Sequence, residues 1–65
     1  MNKEEFIKEW EQCDCGIKLV ILTDGDMYTA DDYRISENGY TELRYAGFTK
    51  VKIPIDIIEE ISGDD

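Results

Sequence analysis

Apolar residues recur along this chain in two rhythms, and the switch between them divides it. In NKEEFIKEWEQC, residues 2–13, Phe6, Trp10 and Cys13 stand at i, i+4 and i+7 with Ile7 beside them, the spacing that collects side chains on one face of a helix. Asn2 with Glu5 three residues on matches a capping box, and Glu4 and Glu5 suit the positive end of the helix dipole. The pattern predicts a helix over 3–13, stopped by Gly16. A helix of about twelve residues is marginal by itself, so its apolar stripe must pack on the rest of the chain. Trp10, the only tryptophan, has two readings, as an exposed interface anchor or as a core residue that pins the helix. A chain this short has few large apolar side chains to leave idle, which favours the core.

From Ile17 the rhythm shortens to two. IKLVIL, residues 17–22, puts Ile17, Leu19 and Ile21 on one face and Val20 and Leu22 on the other. Apolar residues on both faces predict a strand covered on both sides, with the helix as one cover. Asp24-Gly25 is a hairpin signal, because glycine accepts the positive φ of a tight turn. The returning strand, 27–36, carries Asp31-Asp32 near its middle, which predicts a bulge, a bend or an edge position. Asn38-Gly39 marks a second turn, YTELRY a strand over 40–46, Gly47 a third turn or bulge, and FTKVKI a strand over 48–53. After Pro54, IDIIEEI reads as a last strand over 55–61 entered through a 3₁₀ turn, with Gly63-Asp64-Asp65 as a tail. The expected fold class is α+β in a single domain over 1–65: an N-terminal helix followed by a small, strongly bent antiparallel sheet or barrel of four to five short strands. The alternative makes 54–62 a C-terminal helix, with Pro54 at its first position, Ile57, Ile58 and Ile61 as its face and Gly63 after its end.

Length sharpens the picture. A chain of 65 residues buries only about 60% of its unfolded surface, and self-association is one way to bury more. At 42% hydrophobic residues it has the composition of an ordered domain. No apolar run of membrane-spanning length occurs, and MNKEEFIKEW lacks the apolar centre of a signal peptide. The expectation is a cytoplasmic protein, away from membranes, with reduced cysteines. The net charge is −9 with no histidine. Residues 33–53 hold four cations against two acids, whereas 54–65 hold five acids and no cation. A field of this sign repels phosphate backbones and disfavours nucleic-acid binding; it suits solubility or a partner protein with a basic surface.

LTDGDMYTADDY, residues 22–33, holds four aspartates. A calcium loop started at Asp24 would need glycine at its sixth place and glutamate at its twelfth; Thr29 and Ile35 stand there, so the stretch reads as a hairpin. The acids open to a partner are Asp24, Asp26, Asp31, Asp32, Glu59 and Glu60. Cys13 and Cys15 offer two thiols where tetrahedral zinc takes four ligands, so no metal is expected within one chain; four thiolates pooled across a dimer would complete such a site. Glu9, Glu11 and Asp14 oppose the thiolate a redox role needs. Arg34, Arg44, Lys50 and Lys52 form the only basic stretch, near Tyr33, Tyr40, Tyr45 and Phe48. Aromatics interleaved with cations can stack bases, while lysines along one strand also guard an edge against aggregation. No glycine-rich phosphate loop or nucleophile elbow occurs, so neither an enzyme nor a cofactor is expected.

The stretch from Leu22 to Ala30, LTDGDMYTA, resembles the first motif of Sm-like proteins, hydrophobic-x-Asp-Gly-x-x-aromatic-x-Gly. The order of helix then short strands is similar to that family, and IPIDIIEEI resembles the closing strands of SH3-like and Sm-like barrels. The resemblance implies a bent barrel that associates through strand edges. Ala30 departs from the motif's last glycine, Ser36 or Glu37 and Tyr40 stand where the family places the Asp and Asn of its RNA-binding loop, and no Arg-Gly pair precedes the last strand. The family's RNA binding is therefore not implied. The function expected is that of a non-enzymatic acidic module acting by protein–protein contact, as a homo-oligomer or as an inhibitor or adaptor of the size common among phage and mobile-element proteins, seated on a basic host surface. The alternative is a small-barrel binder of RNA or single-stranded DNA through Arg34, Arg44, Tyr45, Lys50 and Lys52.

Overall fold

A computed structural model describes residues 1–63; Asp64 and Asp65, expected as part of a tail, lie outside the described residues. The capping box forms: the Glu5 amide donates to Asn2 Oδ1 at 2.8 Å and the Glu5 carboxylate accepts the Asn2 amide at 3.4 Å. Helix α1 runs Lys3–Gln12. It ends before Gly16, because Cys13 is already extended at ψ 103° while its amide still reaches the Glu9 carbonyl at 3.2 Å. No helix among the described residues is long and apolar enough to cross a membrane.

Six antiparallel strands follow: β1 Lys18–Leu22, β2 Met27–Ala30, β3 Asp32–Ile35, β4 Tyr40–Tyr45, β5 Phe48–Pro54 and β6 Ile58–Gly63. Among the described residues they form two three-stranded sheets, in the orders β2-β1-β6 and β3-β4-β5, with no closed barrel. The expected long strand over 27–36 is split at Asp31, whose amide donates to the Arg44 carbonyl at 3.0 Å and whose Oδ2 accepts the Ala46 amide at 3.2 Å. The bend anticipated from Asp31-Asp32 is thus a change of sheet, held by the β4–β5 hairpin. The C-terminal helix does not form. Ile55–Ile57 make one 3₁₀ turn and Ile58–Gly63 pair with β1, which suits the β-branched isoleucines better than a helix would.

The core lies between the sheets and is closed by α1. Phe6, Val20, Leu22, Ala30, Leu43, Ile53, Ile55, Ile58 and Ile61 are buried, with Trp10, Tyr28, Tyr33, Ile35 and Val51 packed around them. Trp10 takes its place against this core and not as an exposed anchor. The terminal ammonium ties the start of the chain to the 3₁₀ turn, donating to the carbonyls of Ile58 at 2.7 Å and Ile55 at 3.3 Å. A further sequence expectation needs correction. Strand β1 is not covered on both faces: Val20 and Leu22 face the core, while Leu19 and Ile21 lie outside it, half-buried. The helix cannot cover both faces because it closes the mouth between the sheets, where Phe6 enters, and runs beside β6. Lys18 shares the inner face with Val20 and is buried, its ammonium donating to the Cys15 carbonyl and lying 4.9 Å from the Trp10 ring.

Candidate functional site

The β1–β2 turn is built locally. Gly25 adopts φ 94°, the Asp26 amide donates to Asp24 Oδ1 at 3.0 Å, and the Leu22 amide closes onto the Asp26 carbonyl at 2.8 Å. Its position is a tertiary matter. The Thr23 amide donates to the Ile57 carbonyl at 2.9 Å, which joins this turn to the 3₁₀ turn more than thirty residues on. The join gathers Asp24 and Asp26 with Asp56, Glu59 and Glu60, all exposed. Segments 19–31 and 53–63 contain no lysine or arginine.

An apolar surface runs through these acids. Met27, Ile21 and Glu60 are cross-strand partners on β2, β1 and β6, so their side chains stand in one row on the outer face of the sheet. Thr29, Leu19 and Ser62 form the next row. Met27 is 60% exposed and Ile57, at the end of the face, 36%. Four of the acids expected to meet a partner, Asp24, Asp26, Glu59 and Glu60, are therefore placed together. Asp31 and Asp32 are not: they lie at the far end of β2, about 14 Å of extended chain away. Asp31 holds the bend, and Asp32 Oδ1 accepts the Tyr33 amide at 2.8 Å. Sequence reasoning missed Asp56, Ile57, Ile21 and Met27. The signal available is the second apolar face of IKLVIL, for which the fold supplies no cover.

The basic stretch is dispersed. Arg34, Glu42 and Lys52 are cross-strand partners, as are Asp32, Arg44 and Thr49, so acids interrupt the cations on the outer face of β3-β4-β5. Lys50 occupies a bulge in β5 and turns back to the Thr29 carbonyl and hydroxyl at 3.0 and 3.1 Å, 5.5 Å from the Tyr45 ring. Arg44 donates to the Gly47 carbonyl at 3.0 Å. Tyr45 and Phe48, 39% and 76% exposed, flank the tip of this hairpin.

Cys13 and Cys15 converge on the end of β6, where a Cβ at Gly63 would lie 3.5 Å from the Cys13 sulfur and 2.5 Å from that of Cys15. Among the described residues no third acid, cysteine or histidine joins them into a metal-holding group. Comparison with family models, with curated proteins and with solved structures returned no match.

Proposed function

We propose that the chain is a non-enzymatic, cytoplasmic protein-binding module that acts by contact, occupying a basic surface of a partner protein as a phage or mobile-element inhibitor or adaptor would. The observation that supports this reading is the gathering of Asp24, Asp26, Asp56, Glu59 and Glu60 at one end of the β2-β1-β6 sheet, on segments without a lysine or arginine. Carboxylates brought together this way raise the local field, steer a cationic partner during encounter and repel phosphate. The order of helix and strands and the Asp24-Gly25 turn agree with an Sm-like or SH3-like kinship without the family's RNA-binding residues, although the two sheets do not close into the barrel that such a kinship implies. The test is affinity capture from the native cell across a salt series. Partners with basic surfaces should elute as the Debye length falls from about 10 Å to about 3 Å between 0.1 M and 1 M salt. Retention that does not change with salt would sink the electrostatic reading.

A second reading, RNA or single-stranded DNA binding at the β4–β5 tip, is favoured by the exposure of Tyr45 and Phe48 beside Arg44 and Lys50. Filter binding of single-stranded oligonucleotides at low salt separates the two. Saturable binding lost in Phe48→Ala would favour nucleic acid.

A further inference from the structure

We infer that the outer face of the β2-β1-β6 sheet, centred on Leu19, Ile21 and Met27 and ended by Ile57, docks a basic amphipathic helix of a partner protein. This rests on the protein-binding reading above and names the surface and the chemistry that fits it. Leu19 and Ile21 belong neither to the core nor to the apolar residues packed against it. Met27, in the same row as Ile21, is 60% exposed. In a 65-residue chain, apolar side chains that do not serve the core are costly to leave in water.

Charge selects the occupant. Glu60 is in the row itself, opposite Ile21, and Asp24, Asp26, Asp56 and Glu59 surround its end. A second copy of this chain would set carboxylates against carboxylates there, and an acidic or phosphate-bearing ligand would meet the same repulsion. An apolar strip edged by lysine or arginine matches the centre and the acidic end of the rim, while at the Thr29 edge Lys50 is engaged by the Thr29 carbonyl and hydroxyl. Size selects a helix. Three strands at about 4.8 Å spacing present a face about 10 Å wide, the diameter of one helix with its side chains. The approach is open, since α1 closes the mouth of the core and its Glu9 carboxylate meets the Ile61 amide at 3.5 Å instead of crossing the outer face.

The probes are a helical peptide of about 18 residues with leucine on one face and lysine on the other, long enough to form a helix, and an oligolysine of equal charge. Affinity is read by calorimetry and the contact surface from amide shifts in nuclear magnetic resonance spectra of the full chain. The amphipathic peptide should shift Leu19, Ile21, Met27 and Ile57 and bind at least about tenfold more tightly than oligolysine. The double substitution Met27→Ser with Ile57→Ser should remove that advantage, an expectation for loss of central apolar contacts, while Phe48→Ser at the β4–β5 tip, outside the Met27–Ile21 row, leaves it intact. Both positions are exposed, so the thermal melt should be retained; if it is not, the shift map of the unsubstituted chain decides. Equal binding of both peptides, unchanged in the serine variant, would overturn the apolar-face inference and leave the acidic module standing. Shifts confined to the Tyr45–Phe48 tip would overturn it as well. No binding of either peptide at low salt would overturn both. Sedimentation as a dimer that the serine variant abolishes would replace the helix by a second copy.

Discussion

Trp10 and Tyr33 meet edge to face, with ring centroids 4.8 Å apart and planes at 61°. Phe6 completes the group, 4.9 Å from Tyr33 and 5.8 Å from Trp10. These three rings fasten α1 to β3. Large aromatic-to-alanine changes in a core cost about 3–5 kcal/mol, and Trp10, half-buried, belongs at the lower end of that range. Trp10→Ala should therefore remove a large share of the roughly 5 kcal/mol such a domain holds. Urea denaturation should show the midpoint falling steeply. An unchanged midpoint would mean that the helix is not held by this cluster.

Thr41 is fully buried between Ile35 and Ile53, and its hydroxyl has no hydrogen-bond partner among the described residues. Valine has the same shape without the polar atom. Thr41→Val should stabilise the fold by about 1 kcal/mol, since an unsatisfied buried hydroxyl costs about 1–3 kcal/mol. A lower denaturation midpoint would show that the hydroxyl is satisfied in solution.

Ala46 holds φ at 53° in the β4–β5 turn, a region that crowds any Cβ. Its amide is fixed by Asp31 Oδ2 at 3.2 Å, so the turn cannot relax without loosening the junction between the sheets. Ala46→Gly should raise stability by about 0.5–1 kcal/mol, the usual size of such backbone effects. Gly47→Ala, at φ 85°, should lower it. The pair of melting curves checks the sign of both.

A Cβ at Gly63 would sit 2.5 Å from the Cys15 sulfur, so that sulfur must move to admit one. Gly63→Ala should destabilise the end of β6 to the extent that the Cys15 side chain is held in place. Cys15→Ala should relieve the clash, since the next contacts are the Cys13 sulfur at 3.5 Å and the Cys15 Cβ at 3.6 Å. A double-mutant cycle should give a favourable coupling of about 1 kcal/mol, within the range for residues in contact. Additive effects would place the sulfur elsewhere.

Much of the architecture was legible because local rules decide it. The capping box at Asn2 and Glu5, the Asp24-Gly25 and Asn38-Gly39 turns with glycines at φ 94° and 85°, and the alternation within β1 and β4 depend on neighbours a few residues away. Even the interruption at Asp31-Asp32 was readable, as two acids do not suit the middle of a continuous strand.

The candidate surface was legible only in part. Its acids could be named one by one, but nothing within a few residues of Asp24 announces Glu60. They meet because β6 returns to pair with β1 and because the Thr23 amide reaches the Ile57 carbonyl at 2.9 Å. The apolar pattern of Leu19 and Ile21 set a requirement for cover without saying what would supply it. Sequence by itself determined which side chains alternate, where the chain turns and which sign of charge it carries, since these follow from backbone conformation and composition. Only the tertiary structure decided which outward face stays open and which acids frame it, because long-range strand pairing and the closing of the core by α1 bring distant segments together, and neither leaves a periodic trace in the chain.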